Sequence, residues 1–206
     1  QLIDEPYLEI EGGISLEGTI EISGAKNAAL PAIVAACLSD EEVTLRNVPV
    51  ELNDVKLIIK LLTSMGANVE VNKKDRELVC CGTNWNGGIL DSDVAGKIRH
   101  SLLLLGLSAN RKTKLFLPMP GGCDLGNRKH DMHVTALQSL GNTVIEDEGI
   151  LLKPDRSNEN ITIEFYYPTF GGTLNALFAS VSLEGSVITI KNAARNPEVL
   201  DVIDLL

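Results

Sequence analysis

The feature that most constrains how this chain can fold is an internal repeat. Met65-Gly-Ala-Asn-Val-Glu-Val and Leu140-Gly-Asn-Thr-Val-Ile-Glu are close echoes. Each ends a helix-periodic apolar stretch on a glycine and opens a strand. The order of elements around the two echoes is the same. The first copy runs from Gly24-Ala-Lys-Asn-Ala-Ala-Leu through an apolar helix to Leu38 and a strand Val43-Thr-Leu-Arg-Asn-Val-Pro. An amphipathic helix from Asn53 to Met65 follows, and the copy closes on Glu77-Leu-Val-Cys-Cys. The second copy has a helix over Val94 to Leu107, a strand Lys114-Leu-Phe-Leu-Pro-Met-Pro, a loop Gly121-Gly-Cys-Asp-Leu-Gly, a helix over Met132 to Leu140 and a strand Ile150-Leu-Leu-Lys. The third begins with strand Ile161-Thr-Ile-Glu-Phe, continues through a helix from Thr173 to Leu183 and strand Val187-Ile-Thr-Ile, and starts a last helix at Pro197. Proline is favourable in a first helical turn.

Three strand–helix–strand–helix–strand–strand units predict an α+β fold. The third unit reaches Leu206 within its second helix, leaving Val199, Leu200, Val202 and Ile203 without closing strands. The expectation is that the chain is one part of something larger; the alternative is a terminal helix that simply docks.

Composition narrows the function. A chain of 206 residues with 44% apolar content can bury a core, and a net charge of −10 argues against a broad nucleic-acid surface. The longest apolar run, Ala28 to Leu38, is broken by Pro31, whereas a membrane helix needs roughly 20 apolar residues. Gln1 to Ile10 carries Asp4, Glu5 and Glu9 and no basic segment, so no signal peptide and a cytoplasmic location are expected. The cysteines, Cys37, Cys80, Cys81 and Cys123, form no C-x-x-C and no Cys/His metal spacing. Free thiols in a reducing compartment are expected, with no metal and no cofactor.

The charge is unevenly placed. Lys97, Arg99, Arg111, Lys112, Lys114, Arg128 and Lys129 fall in one window with a single acid, Asp124. An electropositive island in an acidic chain suggests a small anionic ligand, against the plainer reading of a solvated basic loop. Lys26 sits at the mouth of a strand-to-helix turn, where a lysine and helix amides suit phosphate or carboxylate. Cys123 lies in a glycine-rich loop with Arg128 five residues on and His133 ten on. Nearby cations favour a thiolate, which can act as acid or nucleophile, although a buried inert thiol is the commoner fate of a lone cysteine.

Taken in order, Ile22-Ser-Gly-Ala-Lys-Asn-Ala-Ala-Leu-Pro, Asn47-Val-Pro, Pro120-Gly-Gly-Cys, Asp131-Met-His and Asn192-Ala-Ala-Arg resemble the enolpyruvyl transferase family, over Leu8 to Leu206. Within it, the similarity is greatest to the branch that serves peptidoglycan synthesis. The resemblance implies an inside-out α/β barrel of three βαβαββ units about a pseudo-threefold axis, helices inward and sheets outward. It implies transfer of an enolpyruvyl group from phosphoenolpyruvate to the 3-hydroxyl of UDP-N-acetylglucosamine, with release of phosphate. It also divides the chain into residues 1–22, a strand pair that the family packs on a second domain, and residues 23–206, the cysteine-bearing domain. The second domain, absent from this sequence, would complete the site, so the chain alone is expected to be inactive.

The resemblance also assigns residues. Lys26 and Arg128 match phosphate-gripping cations, and Cys123 matches the loop cysteine implicated as general acid at the methylene carbon. Asn27 matches an asparagine that contacts the acceptor, Arg99 an arginine facing the cleft, and His133 a histidine near the acceptor's diphosphate. Asp131 is expected to orient the loop. Thr169, Phe170 and Gly171 match the nucleotide-binding segment. That segment departs from the family's Lys-Val-Ser-Val-Gly: it reads Tyr167-Pro-Thr-Phe-Gly, with a lysine replaced by a tyrosine. Arg128-Lys-His-Asp-Met-His and Asn196 also depart from the family pattern. The departures admit a paralogue with another nucleotide or sugar acceptor, or a non-catalytic half that binds a phosphorylated ligand.

Overall fold

The computed structural model describes residues 8–119, 129–155 and 160–206. Helix α1 (Lys26–Ala36) leads to β1 (Val43–Leu45), α2 (Asn53–Ser64), β2 (Asn68–Asn72) and β3 (Glu77–Cys81). Then come β4 (Gly88–Ile89), α3 (Ser92–Ala95), a 3-10 turn (Arg99–Leu102), α4 (Leu103–Asn110) and β5 (Leu115–Pro118). These are followed by α5 (Asp131–Ser139), β6 (Thr143–Glu146), β7 (Gly149–Lys153), β8 (Ile161–Thr169), α6 (Phe170–Ser180), β9 (Ile188–Ala193) and α7 (Pro197–Leu205). Among the described residues the strands make sheets of order β1-β3-β2, β4-β5-β7-β6 and β8-β9. β2 and β3 pair antiparallel, as do β6 and β7, while β4–β5 and β8–β9 are parallel pairs. The mixed helix and strand content is that of an α+β fold.

The helices divide by pattern. α2 is amphipathic and buries Val55, Ile58, Leu61 and Leu62 at helical spacing. α4 is buried on every side, from Leu103 through Asn110, so it can only lie inside the molecule. It packs against α6 and α1. Each of its enclosed leucines contributes about 1.5–3 kcal/mol by burial. A helix so enclosed must satisfy its polar groups internally, and Asn175 of α6 does this. Its Oδ1 accepts from the Gly106 amide at 2.9 Å and its Nδ2 donates to the Leu102 carbonyl at 3.0 Å. Gly106 admits this contact, because a Cβ there would sit 2.5 Å from Asn175 Oδ1.

The motif residues that carry the resemblance include several backbone devices. A Cβ on Gly24 would lie 2.1 Å from the Asn47 carbonyl oxygen. Asn47 and Asn192 both adopt left-handed backbone, with φ of 57° and 53°. Asparagine tolerates this region better than most residues. The Asn192 side chain also donates to the Phe165 carbonyl at 2.8 Å, tying the end of β9 to β8.

Two expectations need correction. The continuous helix over Val94 to Leu107 is three pieces: α3 ends at Gly96, a 3-10 turn holds Arg99 and His100, and α4 begins at Leu103. Residues 8–22, expected as a strand pair packed on a second domain, carry no strand assignment in this chain by itself; Leu8, Ile10, Ile14, Leu16, Ile20 and Ile22 are 71–94% exposed. Their alternating apolar row has no sheet to lie on, so no ladder forms. The basic window is not one patch either. Arg111 donates to the Leu38 and Gly82 carbonyls and pairs with Asp40, tying the end of α4 to the residues that follow α1 and β3. No described helix is long and apolar enough to cross a membrane.

α7 docks through Val199 and Val202 and packs on α1, while Leu200 and Ile203 stay half exposed. With Leu177 and Ile190 they line an open groove of about 660 Å³.

Candidate functional site

A second cavity, of about 830 Å³, gathers residues from distant parts of the chain. Lys26 and Asn27 enter it from the first turn of α1, and Asp54 from the first turn of α2. Arg99 and His100 enter from the 3-10 turn, and Lys97 just before it. Lys129 and His133 come from the start of α5 and the residues before it. Tyr166, Tyr167, Thr169, Phe170 and Gly171 form the wall where β8 passes into α6. The break between α3 and α4 therefore matters to the site: it turns two consecutive side chains, Arg99 and His100, toward one space.

The charges are arranged rather than scattered. Lys26 Nζ pairs with Asp54 Oδ2 at 3.0 Å, both partly exposed. Arg99 donates to the Lys129 carbonyl oxygen at 2.8 Å, bridging 30 residues of sequence. The arginine thereby fixes the backbone at Lys129, two residues before α5. Among the described residues, four cations, Lys26, Lys97, Arg99 and Lys129, line the cavity with one carboxylate, Asp54. An anion entering it gains from the surplus, since partial exclusion of water strengthens each attraction.

His133 is buried and its protonation state follows from its partner. Asn175 Nδ2 lies 2.7 Å from His133 Nδ1. The amide nitrogen only donates, so Nδ1 accepts and the ring proton sits on Nε2. Burial first, then the charge of Arg99 and the neighbouring His130 and His100, push its pKa down to about 3. The ring is a fixed neutral donor. Gly171 packs against it; a Cβ there would fall 2.3 Å from His133 Cε1. His130 is turned away, within 2.7 Å of Glu146.

Thr169 caps α6: its hydroxyl accepts from the Gly172 amide at 3.3 Å. The Thr173 hydroxyl returns a bond to the Thr169 carbonyl at 2.6 Å. The first residues of this 11-residue helix, Phe170 and Gly171, line the cavity, and the dipole at a helix start favours negative charge. Asp131 does not line the cavity itself. It lies behind Tyr166, whose hydroxyl donates to Asp131 Oδ2 at 2.9 Å. That bond to a carboxylate raises the Tyr166 pKa. Tyr166 and Tyr167 meet edge to face, ring centroids 4.9 Å apart.

Of the residues singled out in the sequence, Lys26, Asn27, Arg99, His133, Thr169, Phe170 and Gly171 line this cavity, and Asp131 backs it. Cys123 and Arg128 lie outside the described residues. Sequence reading passed over Asp54, His100 and Tyr166. Asp54 looked like an ordinary first-turn acid, and Tyr166 like one exposed position of a strand. The one available signal for His100 was its adjacency to Arg99 inside an otherwise apolar run.

The thiols form a separate cluster. Cys37 and Cys80 are buried, and Cys81 is half buried with its sulfur 3.3 Å from the Asp40 carbonyl. The Cys80 hydrogen bond and burial hold Cys37 protonated.

The chain spans about half the length of the curated relatives it matches. It is 39% identical over 195 residues to the UDP-N-acetylglucosamine 1-carboxyvinyltransferase of Nitratidesulfovibrio vulgaris, covering 95% of this chain and 46% of that protein. It is 37% identical over 196 residues to the protein of the same name from Thermotoga petrophila, with coverage of 95% and 46%. Among solved structures, the enolpyruvyl transferase NikO from Streptomyces tendae superposes with a TM-score of 0.72 at 19% identity, over 94% of this chain and 45% of that one. EPSP synthase from Acinetobacter baumannii gives 0.65 at 15% identity, over 87% and 41%. Residues 10–206 match the family described as EPSP synthase (3-phosphoshikimate 1-carboxyvinyltransferase), and the chain belongs to that family of enolpyruvyl transferases.

Proposed function

We propose that this chain is the cysteine-bearing half of an enolpyruvyl transferase that moves the enolpyruvyl group of phosphoenolpyruvate to the 3-hydroxyl of UDP-N-acetylglucosamine. The observation that carries the proposal is the cavity in which Lys26, Lys97, Arg99 and Lys129 surround the N-terminus of α6 in a chain of net charge −10. The relatives' names supply the substrates. A second half, from a further domain or a partner chain, closes the site. The three strand-and-helix units are taken to surround a common axis with helices inward.

In this reading Lys26 and Arg128 hold the phosphate of phosphoenolpyruvate. Arg99 serves twice, through its own charge and by anchoring Lys129, the neighbour of Arg128. The acceptor hydroxyl gives up its proton to a carboxylate of the second half as its oxygen bonds to C2 of phosphoenolpyruvate, while the Cys123 thiol delivers a proton to C3, giving a phosphate-bearing ketal. Loss of phosphate from C2 and of a proton from C3 then restores the double bond. Preorganised cations favour the step because charge on the phosphate grows as its bond to C2 breaks. Asn27 and the neutral His133 Nε2–H suit the acceptor's polar groups, and the α6 amides with Thr169, Phe170 and Gly171 suit its diphosphate. Both substrates are multiply charged and do not cross a bilayer unaided, which favours a cytoplasmic reaction.

A second reading concerns the acceptor. Tyr166 and Tyr167, 67% and 51% exposed, give an aromatic rim without a cation of its own. This favours a paralogue whose acceptor presents a ring rather than an anionic group at that edge.

The cysteine is the sharpest test. An epoxide phosphonate that mimics phosphoenolpyruvate should be opened by the Cys123 thiolate, forming a C–S bond while the epoxide oxygen takes a proton. Intact mass of the complete protein should show one adduct with nucleotide sugar present, absent in Cys123→Ala. An unmodified mass under those conditions contradicts a catalytic cysteine.

A further inference from the structure

His100 is the cavity residue with no role so far. It lies on the 3-10 turn beside Arg99 and lines the same space as Lys26 and Asp54. The charged and titratable groups around it come from every side of the cavity. Lys26 faces it from α1, Asp54 from α2, and Arg99 and Lys97 from its own stretch. Lys129 and His133 stand on the α5 side, and Tyr166 and Tyr167 on the β8 wall.

We propose that His100 is a proton-taking contact of the phosphate subsite. Its imidazole is neutral in the free protein and, in mildly acidic solution, takes one proton as a phosphomonoester dianion settles against Lys26 and Arg99. The inference rests on the reading of this cavity as a phosphate site.

The physical argument is a balance of charge. In the free protein, burial and the cations Lys26 and Arg99 outweigh the single Asp54 carboxylate, and the His100 pKa falls to about 4. A dianion placed among the same groups reverses the sign of the local surplus. Two added negative charges at cavity distances raise a neighbouring imidazole by on the order of two pKa units, even at a moderate effective dielectric. The protonated ring then adds a charge-assisted N–H donor to the phosphate. His133 cannot do the same, because Asn175 occupies its Nδ1 as a donor. Linkage fixes the consequence. Between the free and the bound pKa of His100, affinity for the dianion rises tenfold for each unit fall in pH.

The test is a titration of isotope-labelled histidine, lysine and arginine side chains by nuclear magnetic resonance in the complete protein that contains this chain, alone and with phosphoenolpyruvate or inorganic phosphate at millimolar concentration. His100 should titrate near 4 alone and at least one unit higher with either ligand, while His133 stays neutral. His100→Asn should bind the same ligands without the additional pH dependence, the ligand's own ionisation being common to both proteins. A His100 midpoint that does not move while Lys26 and Arg99 signals shift overturns the proposal and leaves the phosphate site standing. Absence of any shift at Lys26, Arg99 and His100 overturns both.

Discussion

At the scale of single residues, the buried histidines make a statement about acid. His133 has a native pKa near 3 and His100 near 4, both below the ordinary value of 6.5. Between those values and 6.5 the unfolded chain binds a proton that the native chain refuses. Stability is therefore complete above about pH 6.5 and falls as pH drops toward the native values, by about 1.4 kcal/mol per pH unit for each histidine. Urea unfolding at pH 7, 6 and 5 should show this loss. His100→Asn should flatten it by up to one proton's worth, and an equal slope in both proteins contradicts the depressed His100. The same residues show what a sequence makes legible. Lys26 and Asn27 announce themselves by sitting at a helix start within a recognisable motif. His100 and Asp54 do not, because a histidine in a leucine run and an acid in a first turn are ordinary until a cavity joins them. Gly24 and Asn47 were legible as motif and illegible as mechanism: only the approach of 2.1 Å shows that the glycine is there for the Asn47 carbonyl.

At the scale of elements, Asn175 is the joint of the site. Its amide satisfies the Gly106 N–H of α4, the Leu102 carbonyl of the 3-10 turn and Nδ1 of His133 on α5. Asn175→Ala orphans all of these in the interior, where each unpaired polar group costs about 1–3 kcal/mol. The expected loss is at least ~3 kcal/mol in urea unfolding, with faster hydrogen exchange at the Gly106 amide. A loss under ~1 kcal/mol contradicts the joint. The 3-10 break that this residue supports was not legible. From Ser101 to Leu107 every residue is buried, and periodicity cannot locate a change of helix type when every face is buried. By contrast α2, with one apolar face, was placed to within a residue from its pattern, and β3 was placed at both ends. Amphipathic elements carry their orientation in sequence; central ones do not.

At the scale of the whole molecule, two apolar surfaces stand open. One is the alternating row of residues 8–22, the other the groove beside α7. The row was legible as a strand pattern, but a strand needs a neighbour to be one. With glutamates at 9, 11, 17 and 21 it should be the first region cut by a Glu-specific protease, as judged by mass spectrometry, leaving the folded remainder intact. In a complete protein whose second half covers it, the same sites should resist. Earlier cleavage elsewhere in the chain alone contradicts this picture. The central claim concerns the cavity itself, and phosphate release tests it most directly. The complete protein that contains this chain, given phosphoenolpyruvate and UDP-N-acetylglucosamine, should release inorganic phosphate in proportion to acceptor consumed, and Lys26→Ala should lower the rate at least a hundredfold. Release with another nucleotide acceptor alone selects the paralogue. No release with any nucleotide or sugar acceptor, or an undiminished rate in Lys26→Ala, contradicts the account.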